Sequence, residues 1–263
     1  MTRALPFTQV DAFADAPFTG NPAAVMPLDE WLADDVLQAI AMENNLAETA
    51  FTVPLAQGSG ADYELRWFTP TVEIALCGHA TLASGHVLIG DGESLTFRTR
   101  KAGDLLVART RDGLSLRLPD WRAEAKPLPD FAAAMRGEVV ETLWREGGYG
   151  VFVYPDEAAI RALEPDFFAL KGMGNILLIA TAPGEIADVV SRAFLPGGGI
   201  EEDPVTGSAH CVIAAYWAQR LGRNAFTAYQ ASARGGHLGV RLGDDGVTLT
   251  GGCRTVITGE FLL

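Results

Sequence analysis

The sequence predicts an α+β protein of two pseudo-symmetric lobes, each a curled mixed or antiparallel sheet around a central buried helix. Size and composition are the first observation behind this. At 263 residues, 48% hydrophobic and 20% charged, the chain is long for one minimal domain and too apolar to stay disordered. The second is that the chain matches itself. The pattern R-x-F-x-P at Arg66–Pro70 recurs at Arg192–Pro196, and E-x-x-φ-x-G-x-A (φ apolar) at Glu73–Ala80 recurs 129 residues later at Glu202–Ala209. Residues 103–116 match 236–249 at an offset of 133 with six of 14 positions identical, where ~7–9% usage of common residues predicts about one. Three blocks in one order, at offsets that differ by a few residues, mean two related lobes.

The third observation is the order of elements inside each repeat. Strand-like alternation at 63–68 and 189–194 runs through Pro70 or Pro196 into a loop that ends at Gly78 or Gly207. Helices follow from Gly78 to about Ile89 and from Gly207 to about Leu221, apolar nearly all round and therefore buried. Gly90 and Gly222 stand where C-terminal caps belong. Strand-like runs come next, at 94–99, 105–109 and 114–118 in one repeat and at 225–232, 238–242 and 247–250 in the other, turning at Asp112-Gly113 and Asp245-Gly246. Outer helices are expected at 29–43, on the spacing of Leu32, Val36 and Ile40, and at 156–163. Pro119, Pro127 and Pro129 mark residues 120–135 as a linker, giving lobes of 1–119 and 120–263, with the closing strand free to exchange back into the first lobe.

Charge and motif content exclude several functions. A net charge of −13 with no Lys/Arg block argues against a nucleic-acid partner. No window is apolar and long enough for a membrane span, and the opening residues carry no signal-type apolar stretch, so a cytoplasmic protein is expected. Three cysteines (77, 211, 253) without C-x-x-C support neither a disulfide framework nor a thiolate cluster, and no metal is expected. No dinucleotide or P-loop glycine pattern occurs and Lys171 has no phosphate cup around it, so no cofactor is expected.

The loop-to-helix junctions have chemistry of their own. A helix N-terminus leaves unpaired N–H groups and a partial positive charge, and a glycine there lets an anion approach the backbone. Gly78 and Gly207 are thus candidate substrate contacts, beside Cys77 and His79 in one repeat and Asp203, Thr206, Ser208 and His210 in the other. At the first turn of a helix the dipole disfavours an imidazolium, so His79 is expected to be neutral. Asp203 and Ser208 are equally suited to local capping.

Residues 9–25 with their G-N-P turn, 45–51, C-G-H-A-T at 77–81 within 66–83, and E-D-P-V-T-G-S-A-H at 202–210 together resemble the PhzF-type phenazine biosynthesis proteins, from the N-terminus to the closing strands. The resemblance implies a diaminopimelate epimerase-like fold and a cofactor-independent, biosynthetic isomerase acting on a small carboxylate-bearing metabolite. It implies that Glu48 is the acid/base, with His79, Asp203 and Ser208 around the substrate and Asn21 in a substrate-contact loop. It also allows a homodimer. The surroundings of Glu48, small and apolar at a strand entrance, suit a carboxylate that takes and returns a proton.

Two alternatives stay open at this point. An epimerase or racemase on the same fold would need one thiolate per lobe, and Cys77 aligns with Thr206, whose hydroxyl is far too weak an acid. A catalytically silent binding protein is compatible with the fold, because fold does not fix function.

Overall fold

The computed structural model describes residues 3–263 and divides them into two compact units, one running to Arg117 and including Thr250–Leu263, the other Leu118–Leu249.

The first unit opens with β1 (Ala4–Ala12), β2 (Asn21–Pro27), α1 (Asp34–Asn44), β3 (Glu48–Pro54), β4 (Tyr63–Phe68) and β5 (Glu73–Ile74). Then come α2 (Gly78–Leu88), β6 (Ser94–Thr99), β7 (Asp104–Thr110) and β8 (Gly113–Leu118). The turn between β1 and β2 depends on Gly20, whose φ is +69° and where a Cβ would stand 2.3 Å from the Ala12 carbonyl oxygen. Helix α2 is buried along most of its length because Gly85 lets it press on β7; a Cβ there would meet Val107 at 2.5 Å. Its hydroxyls are satisfied internally: Thr81 Oγ1 donates to the Cys77 carbonyl at 2.5 Å and Ser84 Oγ to that of Ala80 at 2.8 Å. Leu5, Met26, Leu37, Ile40, Phe51 and Phe68 form a separate core under α1.

The second unit holds β9 (Glu124–Ala125), α3 (Pro129–Met135), β10 (Glu141–Arg145), β11 (Tyr149–Val153), α4 (Glu157–Arg161), α5 (Phe167–Lys171), β12 (Leu177–Pro183) and β13 (Val189–Leu195). It continues through β14 (Ile200–Asp203), α6 (Gly207–Leu221), β15 (Ala225–Gln230), β16 (Gly236–Gly243) and the start of β17 (Gly246–Gly251), whose last two residues fall in the first unit. Helix α6 ends at Gly222 in the left-handed conformation, φ 66°. The last strand, β18 (Cys253–Leu262), belongs to the first unit and pairs antiparallel with β1, from Ala4↔Leu262 to Ala12↔Cys253.

Both units have the same connectivity. In the first, β1–β2 is antiparallel, β2–β3 parallel, β3–β4 and β4–β5 antiparallel, β4–β6 parallel and β6–β7 antiparallel. In the second, β10–β11, β11–β12, β12–β13, β13–β14, β13–β15 and β15–β16 follow the identical series. The duplication therefore begins upstream of the three sequence blocks, at β1 and β10. Its register fixes equivalences that sequence identity is too faint to give. Thr49 pairs with Phe68 as Leu178 pairs with Phe194, so Glu48 corresponds to Leu177.

Two expected elements are corrected. Helix α1 starts at Asp34 rather than near Asp29, because Trp31 is held outside it: its indole N–H donates to Glu64 Oε2 at 2.6 Å and the Arg66 guanidinium lies over its ring. Residues 120–135 are not a plain linker; Glu124–Ala125 pair with β10 and Pro129 opens α3 at a position where its missing N–H costs nothing. Among the described residues no helix is long and apolar enough to cross a membrane.

Candidate active site

In the first unit, α1 ends with Asn45 in the left-handed conformation, and the Asn44 amide donates to Thr49 Oγ1 at 3.1 Å. This short reversal sets Glu48 as the first residue of β3, in parallel register with Ala23. At the mouth of α2, Cys77 is the extended N-cap residue, and Gly78 and His79 form the first turn. Nε2 of His79 lies 2.9 Å from Oε2 of Glu48, close enough for an ion pair, while Oε2 has no aligned hydrogen-bond donor. Cys77 Sγ lies 3.6 Å from His79 Nδ1, and the Asn21 amide nitrogen 3.2 Å from the same atom. Glu48 is 9% exposed, Cys77 6%, His79 4% and Asn21 0%, so the group is enclosed but for a narrow face.

Electrostatics in this group correct the expectation for His79. Burial opposes the imidazolium, yet the Cys77 sulfur and the Glu48 carboxylate outweigh it and hold the histidine pKa well above its ordinary value. Cys77 itself is pushed up by burial and then by Glu48, while His79 acts in the opposite direction. The sulfur at the helix mouth and a carboxylate from another strand thus together override the helix N-terminus.

In the second unit, Asp203, Thr206, Gly207 and Ser208 gather at the mouth of α6. The Thr206 hydroxyl donates to Asp203 Oδ2, and Thr206 makes no side-chain cap to the helix. Gln230, fully buried, pins this loop: its Oε1 accepts from Thr206 N–H at 2.8 Å and its Nε2 donates to the Asp203 carbonyl at 2.7 Å. Ser208 faces Tyr149, whose hydroxyl pKa is raised by burial and lowered less by Ser208. His210 is structural. Its Nδ1 donates to the Thr206 carbonyl at 2.8 Å, as Thr81 does to Cys77, Nε2 lies 3.3 Å from Ser191 Oγ, and burial lowers its pKa to about 4. Neither Gln230 nor Tyr149 stands in a recurring sequence pattern, so pattern reading misses both.

A sequence profile of the PhzC-PhzF family, described as phenazine biosynthesis-like protein, matches residues 10–259. The chain belongs to that family. Among the relatives of this PhzF-type protein, an uncharacterized isomerase of Pseudomonas aeruginosa is 48% identical over 97% of this chain and 98% of that one. The crystal structure of a PhzF-family phenazine biosynthesis protein from Enterococcus faecalis has a TM-score of 0.92 at 42% identity, covering 99% of this chain and 100% of that one. A hydroxyproline epimerase from Agrobacterium vitis, at TM-score 0.64 and 15% identity over 99% of this chain and 93% of that one, shares the fold alone.

The two halves of this PhzF-type chain carry different chemistry on one frame. Glu48, Cys77 and His79 correspond to Leu177, Thr206 and Ser208, so the carboxylate, thiol and imidazole occur together only in the first unit. These three also form the group that could hold a metal ion among the described residues. A cavity of about 630 Å³ lies at the other end of α2, around His86, Arg109 and Arg254, and shares no residue with this group.

Proposed function

We propose that the protein is an isomerase that moves a proton within a small carboxylate-bearing metabolite, with Glu48 as the acid/base. The observation that carries this is the enclosed Glu48–His79 pair at 2.9 Å. Glu48 takes a proton from a carbon of the substrate and becomes neutral. The His79 imidazolium, no longer balanced by the carboxylate, then faces the enolate-like charge developing on the substrate and stabilises it in a low-dielectric setting. Return of the proton to a different carbon completes the isomerisation and restores the pair. The naming of close relatives as isomerases supports the reaction class.

A two-thiol epimerase finds less support, because the position equivalent to Cys77 is Thr206 and the Cys77 thiol is pushed up by burial. Asp203 and Ser208 are proposed to hydrogen-bond the substrate, Ser208 with Tyr149 beside it. The test is deuterium uptake from solvent into a panel of small cyclic and amino-acid carboxylates, followed by proton NMR. Uptake that Glu48→Gln abolishes supports the reading; uptake unchanged in Glu48→Gln overturns it.

A further inference from the structure

We propose that the cavity at the C-terminal end of α2 binds a small phosphate monoester. It encloses about 630 Å³, within the ~300–1,000 Å³ typical of small-molecule sites and more than a bare phosphate fills. Arg109 on β7, Arg111 in the turn after it and Arg254 on β18 line it beside a half-buried His86. Two aspartates, Asp15 and Asp112, share the wall, so arginine is in excess here although the whole chain carries a net charge of −13. Buried Ile89 and Leu114 supply an apolar surface for the organic part of the ligand. All of these residues belong to the first unit, and the site stands apart from Glu48 and His79: His86 lies about 10 Å along α2 from His79.

The guanidinium groups are positioned without being neutralised. Arg109 donates from Nε to the Gly92 carbonyl at 2.8 Å and from NH2 to that of Gly90, while Arg254 donates from Nε and NH2 to the Asp15 carbonyl at 3.2 and 2.9 Å. Both keep NH1 for a ligand, and Arg109 covers carbonyls at the end of α2, where the negative end of the dipole would otherwise repel an anion. Among the described residues no carboxylate forms an ion pair with Arg109, Arg111 or Arg254. The cavity of about 950 Å³ at the C-terminal end of α6 differs at this point: its Arg122, Arg220 and Arg223 pair with Asp120, Glu141 and Asp188. Three guanidinium groups suit the double charge and three terminal oxygens of a phosphate monoester better than the two oxygens of a carboxylate. Their field reaches His86, whose Nε2 lies 3.0 Å from Thr255 Oγ1 and whose pKa is lowered by burial and then by Arg109 and Arg254. Cys253, also on the wall, is pushed up to about 12 by burial and does not change charge near neutrality. A bound anion offsets the arginine field, so binding and His86 protonation favour each other. None of this depends on the isomerase reading.

The experiment titrates the full chain with phenyl phosphate, inorganic phosphate and benzoate by calorimetry, and follows the His86 imidazole C–H resonance through a pH titration with and without phenyl phosphate. We expect one phenyl phosphate per chain, bound at least about tenfold more tightly than inorganic phosphate or benzoate, and an upward move of the His86 midpoint. Arg111→Gln removes a charge that makes no hydrogen bond or ion pair among the described residues, and Arg254→Gln removes one held only by a carbonyl. Each is expected to weaken binding by about tenfold, while Arg220→Gln, at the other cavity, leaves it unchanged. No saturable binding, a His86 midpoint that phenyl phosphate does not move, benzoate or inorganic phosphate bound as tightly as phenyl phosphate, or affinity unchanged in both folded variants, Arg111→Gln and Arg254→Gln, overturns the proposal. The first three outcomes are read on the unmodified chain, so a variant that fails to fold does not rescue it.

Discussion

Arg66 holds Glu73 through two parallel hydrogen bonds of 2.8 Å, from Nε and NH2 to the two carboxylate oxygens. Arg192 holds Glu202 in the same fork, at 2.7 and 2.9 Å. Each guanidinium also lies 5.0 Å from the ring centre of the phenylalanine two residues later, Phe68 or Phe194. This gives the repeated sequence pattern its physical content. The Arg and Phe of R-x-F-x-P and the Glu of E-x-x-φ-x-G-x-A form a clasp that ties the strand to the loop feeding the buried helix, and only Arg supplies that planar fork.

The clasp is asymmetric in burial, and its variants should be too. Arg66 is 2% exposed and Glu73 30% exposed at their side chains. Glu73→Ala strands two donors of a buried guanidinium, although Asp34 still engages NH1, and is expected to cost roughly 1–3 kcal/mol. Arg66→Met removes the buried charge and leaves carboxylates that water can reach, so it should cost less. Denaturant unfolding of both variants checks the order; the reverse order sinks the account.

Two histidines should shape opposite limbs of the stability-pH curve. His79 has a raised folded pKa, so its contribution is fully present below the unfolded value of ~6.5 and fades as pH rises through the higher folded value. His210, lowered to about 4, contributes stability above ~6.5 that is lost as pH falls toward about 4, on the order of 3 kcal/mol. Thermal melts of His210→Thr, which imitates the Thr81 bond to the carbonyl four residues earlier, should show a flattened acid limb. Melts of His79→Gln should flatten the neutral-to-alkaline limb and leave the acid limb unchanged.

What was legible in the sequence was local or repeated. Both central helices begin at the predicted glycines, and β4 and β6 occupy the predicted residues, because alternation, turn glycines and apolar helices are written in neighbouring positions. Trp31 escaped such reading: its spacing continues a helix, and only the distant Glu64 and Arg66 pull it out. The raised pKa of His79 escaped partly for the same reason, since the Glu48 carboxylate that joins Cys77 in raising it lies on β3. Glu48 was reached through family resemblance rather than pattern, for one acidic residue among 33 carries no local mark.

Cys77→Ala should retain kcat/KM within about tenfold on whatever carboxylate proves to be the substrate. Burial and Glu48 push the thiol pKa up, its counterpart is Thr206, and the Glu48–His79 contact does not pass through sulfur. Loss of more than 10²-fold with the fold intact, the scale of a removed acid/base, would return the thiol to the reaction.

Glu48→Gln separates the two jobs given to the carboxylate. As acid/base its loss should lower turnover by about 10²–10⁴-fold while a carboxylate ligand still binds, because glutamine keeps the shape and removes only the proton acceptor. As a charge that, with Cys77, raises the His79 pKa, its loss should also lower that pKa, since burial then acts with less opposition. The second effect needs no substrate and can be followed in the imidazole C–H resonances through a pH titration. If the His79 titration does not move in Glu48→Gln, the 2.9 Å contact is not an ion pair in solution, and a turnover defect in the same variant would need another explanation. If the titration moves and turnover does not, His79 and Glu48 are a structural pair and the proton passes through a different group.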